Sequence, residues 1–165
     1  MNFFNFKKGF TLMEVIVSIA IVLTGLIGSI GLIFFSVSGI SYNENRLMAS
    51  NLAQEGIEIV RNIRDSNWLS YKRGADEWRD GLAEGQWRVE YSNTNLLSYE
   101  DQYLKRDSNG FYQYQIGDNT VFKRTITIEH IESNQIRVIS KVDWQTKGRD
   151  QSFSLEARLY NWLEE

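Results

Sequence analysis

The sequence predicts an α+β fold: a long N-terminal α-helical spine, its first half transmembrane, carrying a small C-terminal antiparallel β-sheet head. Three observations predict it. No charged residue occurs from Val15 to Asn43. Apolar residues then recur at helical spacing as far as Ile63, and the last third of the chain alternates apolar with polar residues, as a sheet with one buried face does. We expect four segments: 1–9, a leader peptide; 10–42, the apolar helix; 43–65, its amphipathic continuation; and 66–165, the head.

The composition limits the classes of function. The chain has 18 basic and 21 acidic residues and a net charge of -3, which argues against a general nucleic-acid binder. It has no cysteine, so it cannot form a disulfide, a thiol nucleophile or a cysteine metal site. It also has no proline, so helices and strands lack their strongest sequence boundary.

The apolar segment is long enough to cross a membrane. Phe10 to Ser41 would form a helix of about 48 Å, whereas a bilayer span needs about 20 residues. Lys7 and Lys8 precede the segment, which predicts a cytoplasmic N-terminus and a head outside the cytoplasmic membrane. A single pass in contact with lipid is expected.

The acid at the start of this segment, Glu14, is the unusual feature. An intramembrane charge costs about 2.5–3.5 kcal/mol on insertion scales, so it generally has a partner. A cleaved secretory signal would have an apolar core of about 7–15 residues, shorter than this one. An ordinary signal anchor leaves the acid unexplained. A third alternative places Glu14 at the interface, where its carboxylate reaches water.

The run Lys7-Lys8-Gly9-Phe10-Thr11-Leu12-Met13-Glu14-Val15 resembles the class III signal of type IV pilin-like proteins. The resemblance implies that a prepilin peptidase cuts between Gly9 and Phe10 and that the new amine of Phe10 is methylated. It also implies that Glu14 is the assembly carboxylate. In a staggered bundle of helices, this carboxylate would meet the terminal amine of the next subunit, and a low-dielectric surround would strengthen that pairing.

Three glycines, Gly25, Gly28 and Gly31, recur within the apolar helix. Small residues allow close helix packing, and glycine also weakens a helix by about 1 kcal/mol relative to alanine. Many major pilins carry a proline here, so the glycines are candidates either for packing or for flexibility. The segments 24–28 and 51–58 are similar to those of V-type minor pilins.

These features predict a non-enzymatic minor pilin-like subunit of a type IV pilus that needs no cofactor. Its expected partners are other pilin or pseudopilin subunits, the prepilin peptidase and methyltransferase, and an inner-membrane assembly platform. One alternative is a minor pseudopilin of a type II secretion or DNA-uptake system. A second is a single-pass anchored receptor or enzyme domain.

The amphipathic segment predicts one buried helical face, and the polar cluster Asp65-Ser66-Asn67 predicts the helix end. The predicted buried residues are Ala49, Leu52, Ala53, Gly56, Ile57, Val60 and Ile63. The predicted opposite face comprises Glu55, Glu58, Arg61, Asn62 and Arg64.

The head predicts a strand at 87–91 and a meander of three or four strands at its end. The apolar positions of the meander alternate: Phe122, Ile126 and Ile128; Ile136, Val138, Val142 and Trp144; Phe153, Leu155, Ala157 and Leu159. Turns are expected at 107–110, 117–119 and 132–134, with a longer one at 146–150. Ile131 and Ile139 fall on the opposite parity, which is typical of an edge, a bulge or a second apolar patch.

Few residues suggest chemistry. The sole histidine, His130, lacks a second nitrogen ligand, so we expect a surface or structural role and no metal. Asp107, Asn109 and Asp118 carry oxygen ligands suited to calcium, but the run lacks the further ligands of an EF-hand loop and reads as a polar turn. Trp144 is expected in the core, whereas Tyr160 and Trp162 are expected to be exposed and available for a subunit contact.

Overall fold

The computed structural model describes residues 9–70, 77–92 and 94–162, with the backbone alone at 38, 39 and 41. These residues form one long helix and a β-rich region, as the sequence predicts. The chain divides into two compact units after Asn43, so the second unit begins at Glu44. Helix α1 runs without interruption through this point.

Helix α1 spans Leu12–Leu69. The prediction that it ends at the polar cluster around Asp65 was wrong, because Asp65 has a partner on the helix itself and Asn67 has partners in the head. Asp65 pairs with Arg64 at 2.8 Å, and the Asn67 amide donates to the carbonyls of Trp78 and Asp80 at 3.0 and 2.9 Å. The extra turn of helix buries Trp68.

Two antiparallel sheets follow. The strands are β1 (Gly85–Arg88), β2 (Leu97–Ser98), β3 (Lys105–Arg106), β4 (Tyr112–Gln113), β5 (Asp118–Asn119), β6 (Phe122–Glu132), β7 (Gln135–Thr146) and β8 (Arg149–Tyr160), and a short 3-10 helix spans Glu77–Arg79. The five-stranded sheet has the order β2-β1-β6-β7-β8, and the three-stranded sheet has the order β4-β3-β5. The meander β6-β7-β8 is the predicted one.

The turns and short strands differ in detail from the expectation. β1 ends at Arg88 rather than at residue 91, because the carbonyl of Val89 accepts from the Arg124 guanidinium at 2.6 Å instead of continuing the ladder. Asp118 and Asn119, expected in a turn, pair with β3 as strand β5.

The β7–β8 turn is shorter than predicted. It consists of Lys147 and Gly148 alone, with φ of 51° and 73°. Positive φ at both central residues is the backbone of a type I′ hairpin turn, which matches the twist of the flanking strands.

The core lies between the second half of α1 and one face of the large sheet. All seven residues predicted on the buried helical face are buried, and Trp144 is buried with them, as expected. They contribute to two apolar clusters, one around Ile57, Val60 and Ile126 and one around Leu52, Val142 and Trp144. Strands β6 and β7 present alternate residues to this core.

Gly56 lies at the closest approach of α1 to the sheet. A Cβ placed there would lie 2.6 Å from the Ser140 hydroxyl oxygen and 2.8 Å from the terminal carbon of Ile126. A side chain at this position would therefore force either these two side chains or the helix itself to move. The periodicity placed Gly56 on the buried face, and the structure shows why it is glycine.

Arg124 is a buried cation within this interface, only 2% exposed. It alternates with Phe122 and Ile126 on the inner face of β6. Its guanidinium donates to the carbonyls of Leu52 and Val89 at 2.9 and 2.6 Å and pairs with Glu55 at 3.1 Å. These bonds compensate for much of the cost of burying the charge and tie α1 to β6 and to the chain after β1.

Arg64 corrects the predicted solvent face of the helix. It is 9% exposed, and its guanidinium carbon lies 4.3 Å from the centre of the Trp68 ring. Because α1 continues past Asp65, Trp68 lies one turn beyond Arg64 and covers it. The stacking of a guanidinium on an indole face is a favourable cation–π contact.

Candidate assembly site at the N-terminus

The first turn of α1 is capped by Thr11. Its hydroxyl accepts a hydrogen bond from the Glu14 backbone N–H at 3.3 Å, and its carbonyl accepts from the N–H of Glu14 and of Val15 at 3.0 and 3.2 Å. A threonine followed three residues later by glutamate has the spacing of a capping box. The helix therefore begins at Leu12 because Thr11 satisfies a backbone donor there.

Gly9 and Phe10 lie immediately before this cap and outside the helix. Both are exposed, Phe10 at 79%. The peptide bond predicted to be cut thus lies in non-helical backbone next to a defined helix start. Cleavage there would not require any turn of α1 to open.

Glu14 lies in the first turn of α1 and is exposed. A negative charge in this position interacts favourably with the positive end of the helix dipole. The position also leaves the carboxylate accessible to another chain, about one turn from Phe10. The predicted pairing of this carboxylate with a terminal amine would join two chains. A structure of one chain does not test it, so it stays a prediction.

The apolar part of α1 is exposed around its whole circumference. Every described side chain from Leu12 to Asn43 is exposed, and this part of the helix is strongly apolar. By length and composition this helix can cross a membrane.

Three hydroxyl side chains in this apolar segment have backbone partners. Ser18, Thr24 and Ser29 donate to the carbonyls of Glu14, Ala20 and Gly25, at 2.7, 2.8 and 2.8 Å. Each bond reaches back one turn along the helix, so the hydroxyl is satisfied without water. The apolar segment therefore tolerates these polar residues in lipid or against another helix.

Gly25, Gly28 and Gly31 lie along this segment of continuous helix. A Cβ placed on any of them meets no other atom within 4 Å. Nothing within the chain therefore requires glycine at these positions. Their predicted roles in packing or flexibility stay predictions about contacts with other chains.

The basic residues predicted to set orientation, Lys7 and Lys8, lie outside the described residues.

Residues 5–33 match the family model for the prokaryotic N-terminal methylation motif. The chain carries a type IV prepilin signal. No curated protein and no solved structure matches the chain.

The prepilin signal supports a type IV pilin-like or pseudopilin protein. It points to a structural protein rather than an enzyme, and it implies other pilin subunits and a prepilin peptidase as partners. The motif and the long apolar helix are consistent with membrane anchoring and association with a pilus.

His130 has a structural role in the head. Its ring Nε2 lies 2.8 Å from the Leu82 carbonyl, and its backbone N–H donates to the Glu84 carboxylate at 2.8 Å. Both contacts fix the chain before β1 against the end of β6.

Asp107 is likewise a turn residue. Its carboxylate accepts from the backbone N–H groups of Asn109 and Phe111, both at 2.9 Å. Within the described residues, no group of three His, Cys, Asp or Glu side chains is placed to hold a metal ion.

Two important residues were missed at the sequence level. Thr11 stood inside the quoted motif, and the Thr-x-x-Glu spacing identifies it as a cap. Arg124 stands among alternating apolar residues, where its parity placed it on the buried face. Its three partners, Leu52 and Glu55 on α1 and Val89 after β1, come together only in the folded structure.

Proposed function

We propose that this protein is a minor pilin-like structural subunit of a type IV pilus. It is made as a precursor with its N-terminus in the cytoplasm and its head outside. A prepilin peptidase removes residues 1–9, Phe10 is N-methylated, and an assembly platform in the inner membrane takes up the subunit. The apolar part of α1 then packs in the filament.

The observation that carries this proposal is the prepilin signal at residues 5–33. The geometry of residues 9–14, within this signal, supports it. Gly9 and Phe10 lie in exposed, non-helical backbone, Thr11 caps the helix, and Glu14 stands exposed in the first turn. The exposure of these residues supports cleavage after Gly9, methylation of Phe10 and pairing of Glu14 with the new amine.

Intact-mass analysis of the chain from its native cell tests the processing step. The expected species begins at Phe10 and carries one methyl group. Material that still begins with Met1 in cells with an active prepilin peptidase would contradict the proposal and favour an anchored receptor or enzyme domain.

Substitution of the carboxylate tests assembly. Glu14→Gln keeps the shape of the side chain and removes its charge, so it should deplete the subunit from purified filaments while leaving its level in the membrane unchanged. Ser18→Ala is the matched control, because Ser18 lies one turn away and binds only the Glu14 carbonyl. Equal incorporation of both variants would disprove a role for the charge.

A further inference from the structure

Strand β8 forms an edge of the large sheet, and its outer side is open in the described structure. β8 has 12 residues and pairs with β7 along its whole length without a register shift. Among residues 9–70, 77–92 and 94–162, no strand pairs with its other side. The strand at the opposite edge of the sheet, β2, has only two residues.

This edge lacks most of the usual protections against pairing. Natural edge strands are shortened, bulged, or supplied with proline or with charged residues, especially lysine. β8 is long and regular and contains neither proline, glycine nor lysine, and its charges are of both signs: Arg149, Asp150, Glu156 and Arg158. The backbone groups of alternate residues therefore point outward as unused donors and acceptors.

The apolar face of β8 is also incompletely covered. Phe153, Leu155 and Ala157 point toward the core but are only partly buried, whereas the corresponding rows of β6 and β7 are buried. One more strand beside β8 would continue the sheet and cover this row. The edge thus combines unused hydrogen-bonding groups with partly exposed apolar surface.

The charges of β8 indicate which strand fits. On the solvent face, Arg158 stands opposite Arg137 of β7, and Arg137 already binds Glu129. Arg158 has only a long contact of 3.6 Å with Glu156 in its own strand. Arg158 and Glu156 are both exposed, and within the described part of the chain neither has an opposite charge directly across from it on β7.

We propose that β8 pairs antiparallel with β8 of a second copy of this chain, in the register centred on Ala157. In this register Ala157 faces its own copy, and Glu156 of each chain faces Arg158 of the other. On the apolar face, Leu155 stands opposite Leu159. Opposite charges and apolar pairs directly across two strands stabilise their pairing.

The registers centred on Leu155 and on Ser154 leave Glu156 without an opposite charge across the two strands. A register centred on Leu155 places Glu156 opposite Ser154 and Arg158 opposite Ser152. One centred on Ser154 pairs Arg158 with Asp150, which already accepts from the Gln145 amide at 3.0 Å, and leaves Glu156 opposite Ser152. The register centred on Ala157 gives both central charges an opposite partner.

The symmetry of this contact indicates where the second copy comes from. Two identical antiparallel strands are related by a two-fold axis perpendicular to the sheet, which reverses every direction in the sheet plane. Helix residues 44–69, packed on the sheet, would run in opposite directions in the two copies. Subunits of one filament repeat a single head-to-tail operation and stay parallel. The contact therefore joins two different filaments, a step that rests on the proposed function.

Cysteine cross-linking of the full-length precursor in detergent tests the register, because the chain has no cysteine of its own. In Ala157→Cys the two Cβ atoms would lie about 4.5–5.5 Å apart, and mild oxidation should give a disulfide-linked dimer. In Ser154→Cys the equivalent atoms would be about 20 Å apart, so no dimer should form. A dimer with Ser154→Cys but none with Ala157→Cys would overturn the register, and no dimer with either would overturn the pairing.

Charge exchange in the Ala157→Cys background tests the partner. Glu156→Arg alone and Arg158→Glu alone each place like charges opposite one another, so cross-linking should be lost. A mixture of the two single variants restores opposite charges on both sides and should regain the dimer, as should the double variant. Loss in the singles without recovery in the mixture would overturn the proposal. None of these measurements needs cleavage or Glu14, so their failure is distinct from failure of the pilin proposal.

Discussion

Gly28 and Gly56 lie in the same continuous helix, and their surroundings are opposite. A Cβ on Gly28 meets no atom within 4 Å, whereas one on Gly56 would lie 2.6 Å from the Ser140 hydroxyl. The first half of α1 is exposed on all sides, and the second half is packed on a sheet. Glycine at position 56 is therefore constrained by packing within its own chain. At position 28 any such constraint has to come from lipid or from other chains.

This difference separates stability from assembly. Substitutions in the packed half act on the free energy of unfolding of the head. Substitutions in the exposed half leave that quantity unchanged and act where the helix meets lipid or other subunits. The predictions below test this separation, in order of decreasing effect.

The largest expected loss follows removal of the buried cation in the packed half. Arg124→Met should lower the free energy of unfolding by about 3 kcal/mol, because it leaves the Val89 carbonyl without its donor and Glu55 without its partner. Chemical denaturation measures this loss. The control is Arg137→Met on the solvent face of β7, which should cost at most about 1 kcal/mol. Equal losses would show that Arg124 is not energetically special.

The glycine pair tests the comparison directly. Gly56→Ala should cost about 1–2 kcal/mol, because overpacking of about 1–3 kcal/mol outweighs the gain of about 1 kcal/mol in helix propensity. Gly28→Ala should not destabilise the head at all. Thermal unfolding of both variants checks the contrast, and a stable Gly56→Ala head would show that α1 can move away from the sheet at little cost.

The aromatic contact at the end of the helix is worth less. Trp162 is 66% exposed, and its ring meets Trp68 edge-on with the centroids 4.8 Å apart. Trp162→Ser should lower the free energy of unfolding by about 0.5–1 kcal/mol. A subunit contact through this residue would appear as lost incorporation into filaments. Incorporation, adhesion and stability that all match the native protein would exclude Trp162 from either role.

The smallest effect is confined to alkaline pH. Burial raises the pKa of Tyr114 above its ordinary value of 10.0, although the nearby Arg124 and Arg88 act against this. The folded state therefore holds the proton more tightly than the unfolded state, and this stability is fully present below pH 10.0. It is lost as the pH rises through the raised pKa of the folded state.

Tyr114→Phe removes that titrating group. Denaturation midpoints of the two proteins measured across the alkaline range should show the native protein losing stability faster with pH than the variant. Parallel curves would mean that the tyrosine ionises equally easily in both states.

The sequence predicted those features that depend on local periodicity. The buried face of α1, the three long strands and the exposed Tyr160 follow from spacings of 3.6 and 2 residues. The predicted end of α1 was wrong because the Asn67 amide binds the carbonyls of Trp78 and Asp80, which lie outside the helix and give no signal in the local sequence. Strands β3, β4 and β5, each two residues long, are too short for a period to show. At the candidate site, the spacing from Gly9 to Glu14 is visible in the sequence. The pairing of Glu14 with an amine involves a second chain, so the structure of one chain does not show it.

The position of Thr11 has a consequence for maturation. Its hydroxyl and carbonyl, which hold the first turn, belong to a residue on the far side of the Gly9–Phe10 bond. Trimming there would discard two lysines and expose a new ammonium group without unwinding a single turn. The first turn of α1 would therefore stay intact on processing, and only the charge at its start would change. The new ammonium group would lie at the positive end of the helix dipole, where like charges repel. An anion placed there would stabilise both.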